Sequence, residues 1–228
     1  MDERLLAWGM RQRGPVPPLW LFTDARRLPD PRASVRALPR GRAGVVLRHD
    51  GDPGRLTLGR DLARICRARR LILVVAGDAR LAARLRAGVH LRGGHWPGQV
   101  RLVRGRAGGF VTSSAHGVAD LRRAVRVKAD LVFLSPAFPT KSHAGATGLG
   151  ALRWAAMARR AASGNTRSGV SSCGQARPGQ MRPGLASVGP AIAALGGIDG
   201  GSIRCLPPKL CCAAGAIGAL SSPGARLG

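Results

Sequence analysis

The feature that most constrains this chain is a recurrence of short, continuous apolar runs. They are LWLFTD (19–24), AGVVLRH (43–49), LILVVAG (71–77), GVHLRG (88–93), GFVTSSAH (109–116), LVFLSP (131–136), PAIAALGGI (190–198) and AGAIGALS (214–221). Continuous runs, as opposed to alternating ones, suit strands covered on both faces. Helical periodicity lies between several of them. Leu58, Leu62, Ile65 and Cys66 share one face of residues 57–70, and Val118, Leu121 and Val125 share one face of 117–129. Leu149, Leu152 and Ala156 share the face of a further helix. Asp78 can cap a helix bearing Leu81 and Leu85, which Gly88 would end. Strands and helices that alternate predict a parallel sheet. Eight strand-like runs in 228 residues predict a single-domain (β/α)8 TIM barrel near the lower end of its size range, with a doubly wound open sheet as the alternative.

Two segments fall outside the repeat. Residues 1–18 read as a loose basic N-terminal extension ending in GPVPP, with neither the apolar stretch nor the small-residue cleavage site of a signal peptide, so the barrel is expected over 19–228. The step from the sixth run to the seventh takes about 60 residues, and half of positions 163–190 are Gly, Ser or Pro. Glycine recurs there at 164, 169, 174, 179, 184 and 189. That composition predicts a disordered insertion over 163–189. After the eighth run the final helix of the barrel is expected to be missing, which would leave a strand face for a second copy of the chain to cover as a homo-oligomer.

Charge narrows the function classes. The net charge is +26, but 34 of the 37 basic residues are Arg and Glu3 is the single Glu. Arginine occurs in nearly every segment, without a basic stripe or interleaved aromatics, so solvated surface charge is expected and no specific nucleic-acid partner. No run approaches the ~20 apolar residues of a membrane span. The five cysteines form no C-x-x-C pair, which suits reduced thiols and a cytoplasmic chain.

In such a barrel the chemistry gathers at the C-terminal ends of the strands. Arg48, Asp78, His116, the Gly196-Gly197 pair and the loop LSPAFPTKSH (134–143) all stand at such ends. Thr140 and Ser142 offer hydroxyl donors, and paired glycines let backbone N–H groups approach an anion closely. Loops after the last two strands are where these barrels commonly hold phosphate. Small phosphorylated molecules are therefore the expected partners.

The ordered set LFTD, VVLRHD, VVAGDARLAARLRAGVHL, VTSSAHGVADLRRA, ADLVFLSPAFPTKSHAGATGLG and AIAALGGID resembles thiamine-phosphate synthase and its close relatives, the TenI-like thiazole tautomerases. The resemblance implies a role in thiamine biosynthesis, as a transferase joining a pyrimidine diphosphate to thiazole phosphate with Mg²⁺ as cofactor. It implies a phosphate site of Thr140, Lys141, Ser142, Gly196, Gly197, Leu220 and Ser221, with Ser114 against the pyrimidine. Synthases carry Gln-x-Arg-x-Lys after the second strand; here those positions are Val46, Arg48 and Asp50, so only Arg48 is kept. The Asn-Asp pair after the third strand is Gly77-Asp78, leaving Asp78 as the metal ligand, and a second metal-binding Asp is replaced near His95. His143 stands where the family has Lys. The thiazole-phosphate half of the site is thus kept and the diphosphate half depleted. Two other outcomes follow: a tautomerase in which His116 shuttles a proton, or a non-catalytic thiazole-phosphate-binding relative.

Overall fold

Eight strands hydrogen-bond in chain order into a closed, all-parallel barrel, as the apolar runs predicted. They are β1 (Leu19–Phe22), β2 (Ala43–Leu47), β3 (Ile72–Ala76), β4 (Gly88–Leu91), β5 (Val111–Ala115), β6 (Leu131–Leu134), β7 (Ala191–Leu195) and β8 (Ala213–Ala216). The ring closes where Leu19 and Trp20 of β1 pair with Ala214 and Gly215 of β8. The computed structural model describes residues 1–93, 109–140, 147–163 and 189–221. Its helices are α1 (Glu3–Arg11), α2 (Arg32–Ala37), α3 (Arg55–Ala68), α4 (Ala79–Leu85), α5 (Val118–Arg126) and α6 (Gly150–Ser163). Of the span predicted as an insertion, Ser163 ends α6 and residues 164–188 lie outside the described residues.

Strand side chains alternate between two faces, and here each face has its own core. Leu19, Leu21, Val45, Leu47, Val75 and Val89 point outward into the layer under the helices. Trp20, Phe22, Val46, Val74, Phe110, Leu131 and Phe133 point inward and fill the barrel. The interior rings meet edge-on or stacked: Phe22 and Phe133 centroids are 4.8 Å apart, Trp20 and Phe110 5.7 Å. Rings of this size need small neighbours. A Cβ on Gly44 would strike the Trp20 ring, and one on Gly215 would stand 2.9 Å from Phe22.

Several local expectations are corrected. The helix capped by Asp78 stops at Leu85, where Arg86 takes the left-handed conformation at φ 52°. Gly88 does not end it. Gly88 instead opens β4, because a Cβ there would run into the Phe110 carbonyl. On α6 the buried face is Trp154, Ala158 and Ala161, while Leu152 is 87% exposed. The Trp154 indole N–H donates to the Leu134 carbonyl at 3.2 Å, which turns that face toward β6.

The largest correction concerns residues 1–18, which are not a loose extension. Asp2 caps α1, and Leu5 and Trp8 are buried. The helix lies on the outside of the β8–β1 seam, so close that a Cβ on Gly9 would stand 2.5 Å from Leu19 Cγ. Arg42, just before β2, donates to the carbonyls of Gly9 (2.9 Å) and Gln12 (2.5 Å) and so closes the helix C-terminus. Among the described residues β8 is followed only by a short 3-10 turn, Gly218–Leu220. The strand face expected to be bare is therefore covered by the opposite end of the chain. Leu5 is fully buried there, so Leu5→Ala should lower unfolding free energy by about 2–5 kcal/mol in urea titration, the cost of a core truncation. A change under about 0.5 kcal/mol would mean that α1 is not part of the cooperative fold.

Candidate active site

The mouth of the barrel is built from the loops that follow the strands. On the β2–β4 side lies a cluster of guanidinium and carboxylate groups. Arg48 follows β2, and its backbone N–H donates to Thr23 Oγ1 at 3.0 Å. Thr23 in turn bonds His49 Nδ1 at 3.0 Å, and His49 Nε2 donates to the Pro29 carbonyl at 3.1 Å. Thr23 and His49 are both buried. They hold the backbone from which Arg48 projects. Among the described residues the Arg48 guanidinium has no hydrogen-bond or ion-pair partner. Burial first, and then the neighbouring Arg92, push its pKa below the ordinary value. A half-buried cation beside a second cation favours any anion that reaches it.

Asp78 is committed to the fold. Its Oδ1 accepts the Leu81 N–H at 2.9 Å and caps α4, and its Oδ2 stands 3.9 Å from Arg55 Nη1. Arg55 also pairs with Asp50 at 3.2 Å and donates to the Ala76 carbonyl at 2.6 Å. Arg92 pairs with Asp50 as well. Arg55 thus sits between the Asp50 and Asp78 carboxylates. No group of three His, Cys, Asp or Glu able to hold a metal occurs among the described residues. Mg²⁺ is commonly held by one or two carboxylates together with waters and substrate phosphates, and Asp78 with Asp50 would be the residues to hold it on this side of the mouth.

Across the mouth, the loops after β6 and β7 meet. The Ala137 N–H donates to the Leu195 carbonyl at 2.8 Å and the Phe138 N–H to the Gly196 carbonyl at 3.1 Å. Gly196 and Gly197 have φ of 88° and 64°, a region that side chains avoid. A Cβ on Gly197 would stand 2.5 Å from the Pro139 carbonyl oxygen and 2.8 Å from Phe138 Cβ. The close approach that demands glycine is therefore made by the β6 loop. Among the described residues the N–H groups of Gly196 and Gly197 make no hydrogen bond. Thr140 continues the same loop, whereas Lys141, Ser142, His143 and also His95 lie outside the described residues. Ser221 follows the β8 turn with its hydroxyl donating to the Ile217 carbonyl at 2.7 Å; the Leu220 side chain is fully buried.

Between the two sides stand Ser114 and His116 of the β5 end. His116 Nδ1 lies 3.0 Å from the Ser135 carbonyl, an acceptor only, so Nδ1 carries the hydrogen and the lone pair of the neutral ring is on Nε2. Its backbone N–H is held by Asp120 at 2.8 Å. Ser114 Oγ bonds His90 Nε2 at 3.0 Å, while His90 Nδ1 bonds Thr112 Oγ1 at 2.8 Å. His90 lies in the run GVHLRG, where nothing in the local sequence distinguishes it from its strand neighbours. Its ring packs edge-on to Phe22 and Phe133, centroids 5.6 and 5.7 Å away. Burial, reinforced by Arg92 and Arg48, pushes its pKa down to about 3. The imidazole is therefore neutral, and it fixes the Ser114 hydroxyl.

The family described as thiamine monophosphate synthase matches residues 21–169. The chain belongs to that family. Among curated proteins none matches it. Solved structures share its fold: a thiamine phosphate pyrophosphorylase from Pyrococcus furiosus at TM-score 0.65 and 19% identity, covering 97% of this chain and 91% of that one. FabK from Thermotoga maritima matches at TM-score 0.58 and 12% identity, covering 95% and 61%. The 2-keto-3-deoxy-6-phosphogluconate aldolase of Zymomonas mobilis, with 3-phosphoglycerate, matches at TM-score 0.51 and 14% identity, covering 93% and 85%. No helix among the described residues is long and apolar enough to cross a membrane.

The neutral His90 has a measurable consequence. Above the ordinary value of 6.5 the folded and unfolded chains both carry it uncharged; below 6.5 only the unfolded chain gains the proton, until about pH 3. Stability is therefore present above pH 6.5 and lost as pH falls, by about 2 kcal/mol between pH 7 and pH 5 from this group. His90→Gln should remove that part of the slope in urea unfolding measured at both pH values. An unchanged slope would mean that His90 is not held neutral.

Proposed function

We propose that the protein makes thiamine phosphate, joining a pyrimidine diphosphate to thiazole phosphate. The observation that carries this reading is the unpartnered Arg48 guanidinium beside Arg92, across a closed barrel from the free N–H groups of Gly196 and Gly197. Two anion sites on one mouth suit two phosphorylated substrates. In the reaction the bond from the pyrimidine methylene carbon to the diphosphate oxygen breaks, and its electron pair leaves with the diphosphate. The thiazole nitrogen lone pair forms the new C–N bond. Arg48 and Arg92 stabilise the departing diphosphate. The Gly196 and Gly197 amides, with Thr140, hold the thiazole phosphate, and Ser114, oriented by His90, meets the pyrimidine. The protein's contribution is positioning and preorganised charge. Mg²⁺ held by Asp78 and the diphosphate oxygens would supply further positive charge to the leaving group beside the arginines.

A second reading rests on His116. Its Nε2 lone pair, fixed by the Nδ1–H···Ser135 bond, is suited to take a proton from one position of a thiazole carboxylate phosphate and return it at another, as a tautomerase. One pair of variants separates the two. In the synthase reading Arg48→Ala should lower thiamine phosphate formation at least tenfold to a hundredfold, the value of a lost charge-assisted contact. Thiazole-phosphate binding should persist. His116→Ala should cost much less. If thiamine phosphate does not form, while thiazole isomerisation does and requires His116 but not Arg48, the tautomerase reading replaces the first. Synthase activity untouched by Arg48→Ala would overturn the role given to Arg48.

A further inference from the structure

The glycine pair has no conformational preference of its own, so something outside it must fix where its N–H groups point. Gly197 is tied to the turn that follows: Ser202 Oγ donates to the Gly197 carbonyl at 2.8 Å and accepts the Asp199 N–H at 2.9 Å. Asp199 Oδ1 accepts the N–H groups of Gly201 and Ser202 at 2.9 and 2.8 Å. That turn rests on the start of α1. The Gly200 N–H donates to Asp2 Oδ2 at 2.7 Å, and a Cβ on Gly200 would stand 2.6 Å from Asp2 Oδ1 and 2.9 Å from the Leu5 nitrogen. The same Asp2 reaches the other phosphate-side loop, its N–H donating to the Ala219 carbonyl at 2.7 Å, next to Leu220 and Ser221. Its second carboxylate oxygen, Oδ1, caps Leu5 at 3.0 Å.

We infer that Asp2 is a positioning residue for the phosphate site, locking the β7 and β8 loops to each other through α1. The inference rests on the reading of the Gly196-Gly197 loop as a phosphate site. It adds a residue 194 positions away from Gly196 in sequence, at the start of α1. One carboxylate oxygen serves the helix and the other serves the loop, and a bridging residue needs that division. Burial would raise the pKa of Asp2, but the N–H groups of Gly200, Leu5 and Arg4 outweigh it and hold the carboxyl below its ordinary range. The bridge therefore stays ionised through the neutral range.

The two roles separate by substitution. Asp2→Ser keeps a side-chain oxygen for the cap but is too short to reach Gly200; Asp2→Ala removes both bonds. Calorimetric titration of the full chain with inorganic phosphate and with thiazole phosphate is the test. Asp2→Ser should keep its melting temperature within about 3 °C while its Kd for both probes rises about tenfold, the scale of one charge-assisted hydrogen bond. In turnover the loss should fall on KM for the thiazole substrate and spare kcat. Glu3→Gln, on the same helix, should change neither. Wild-type affinity in Asp2→Ser overturns the inference and leaves the phosphate reading standing. So would a loss of affinity that appears only alongside equal melting losses in Asp2→Ser and Asp2→Ala, because Asp2 would then be a cap alone. A wild-type chain that binds neither probe overturns the phosphate reading and this inference with it.

Discussion

Everything in this molecule depends on filling the inside of the barrel. Trp20 and Phe22 of β1 meet Phe110 and Phe133 of the β5–β6 side across the interior, with His90 of β4 set among them. Strands β7 and β8, which lie between β6 and β1 in the ring, answer largely with alanine and glycine. Close packing of that kind leaves little tolerance for added volume. It also sets the floor of the active site: His90 is both the top of the aromatic stack and the hydrogen-bond partner of Ser114. Packing and chemistry share a residue, and the burial that keeps the imidazole neutral comes from the same rings.

Above that floor the mouth is governed by an imbalance of charge. Asp50 and Asp78 lie among Arg55 and Arg92, and Arg48 is left over. In most of the chain arginine is surface charge. In a few places it is structural, with guanidiniums donating to backbone carbonyls: Arg42 on α1, Arg55 on Ala76, Arg69 on Leu38. Lysine could replace the first kind and would serve poorly in the second, where a planar fork bridges several acceptors.

The strands were legible because burial on both faces writes itself as continuous apolar runs. Arg48, Asp78, His116 and the Gly196-Gly197 pair do stand just beyond strand ends, where the sequence placed them. What was not legible has identifiable physical causes. Leu5 and Trp8 sit three apart in a basic stretch, and nothing local says that a strand seam made by residues 213–216 is waiting for them. Leu149, Leu152 and Ala156 (i, i+3, i+7) and Trp154, Ala158 and Ala161 (i, i+4, i+7) are both helical spacings, so periodicity alone could not choose the buried face of α6. Arg55 belongs to a helix start, and its place between Asp50 and Asp78 exists only in three dimensions. Gly197 was expected to let the backbone approach an anion, and the group that crowds it in the fold is the Phe138–Pro139 backbone. His90 faces inward only because β4 pairs with β5 in the register that sets it beside Thr112.

The placement of α1 has a consequence for how the chain is made. Asp2 bonds Gly200 and Ala219, so the first helix and the last strand complete one another. A nascent chain leaves the ribosome N-terminus first, and α1 must then wait for nearly the whole polypeptide before its apolar face has anywhere to go. Contacts of such long sequence separation slow folding, since the loop must close before they can form. The contacts that seat α1 therefore cannot form before the β7 and β8 loops have been made, and until then Leu5 and Trp8 lack the packing that buries them in the native barrel.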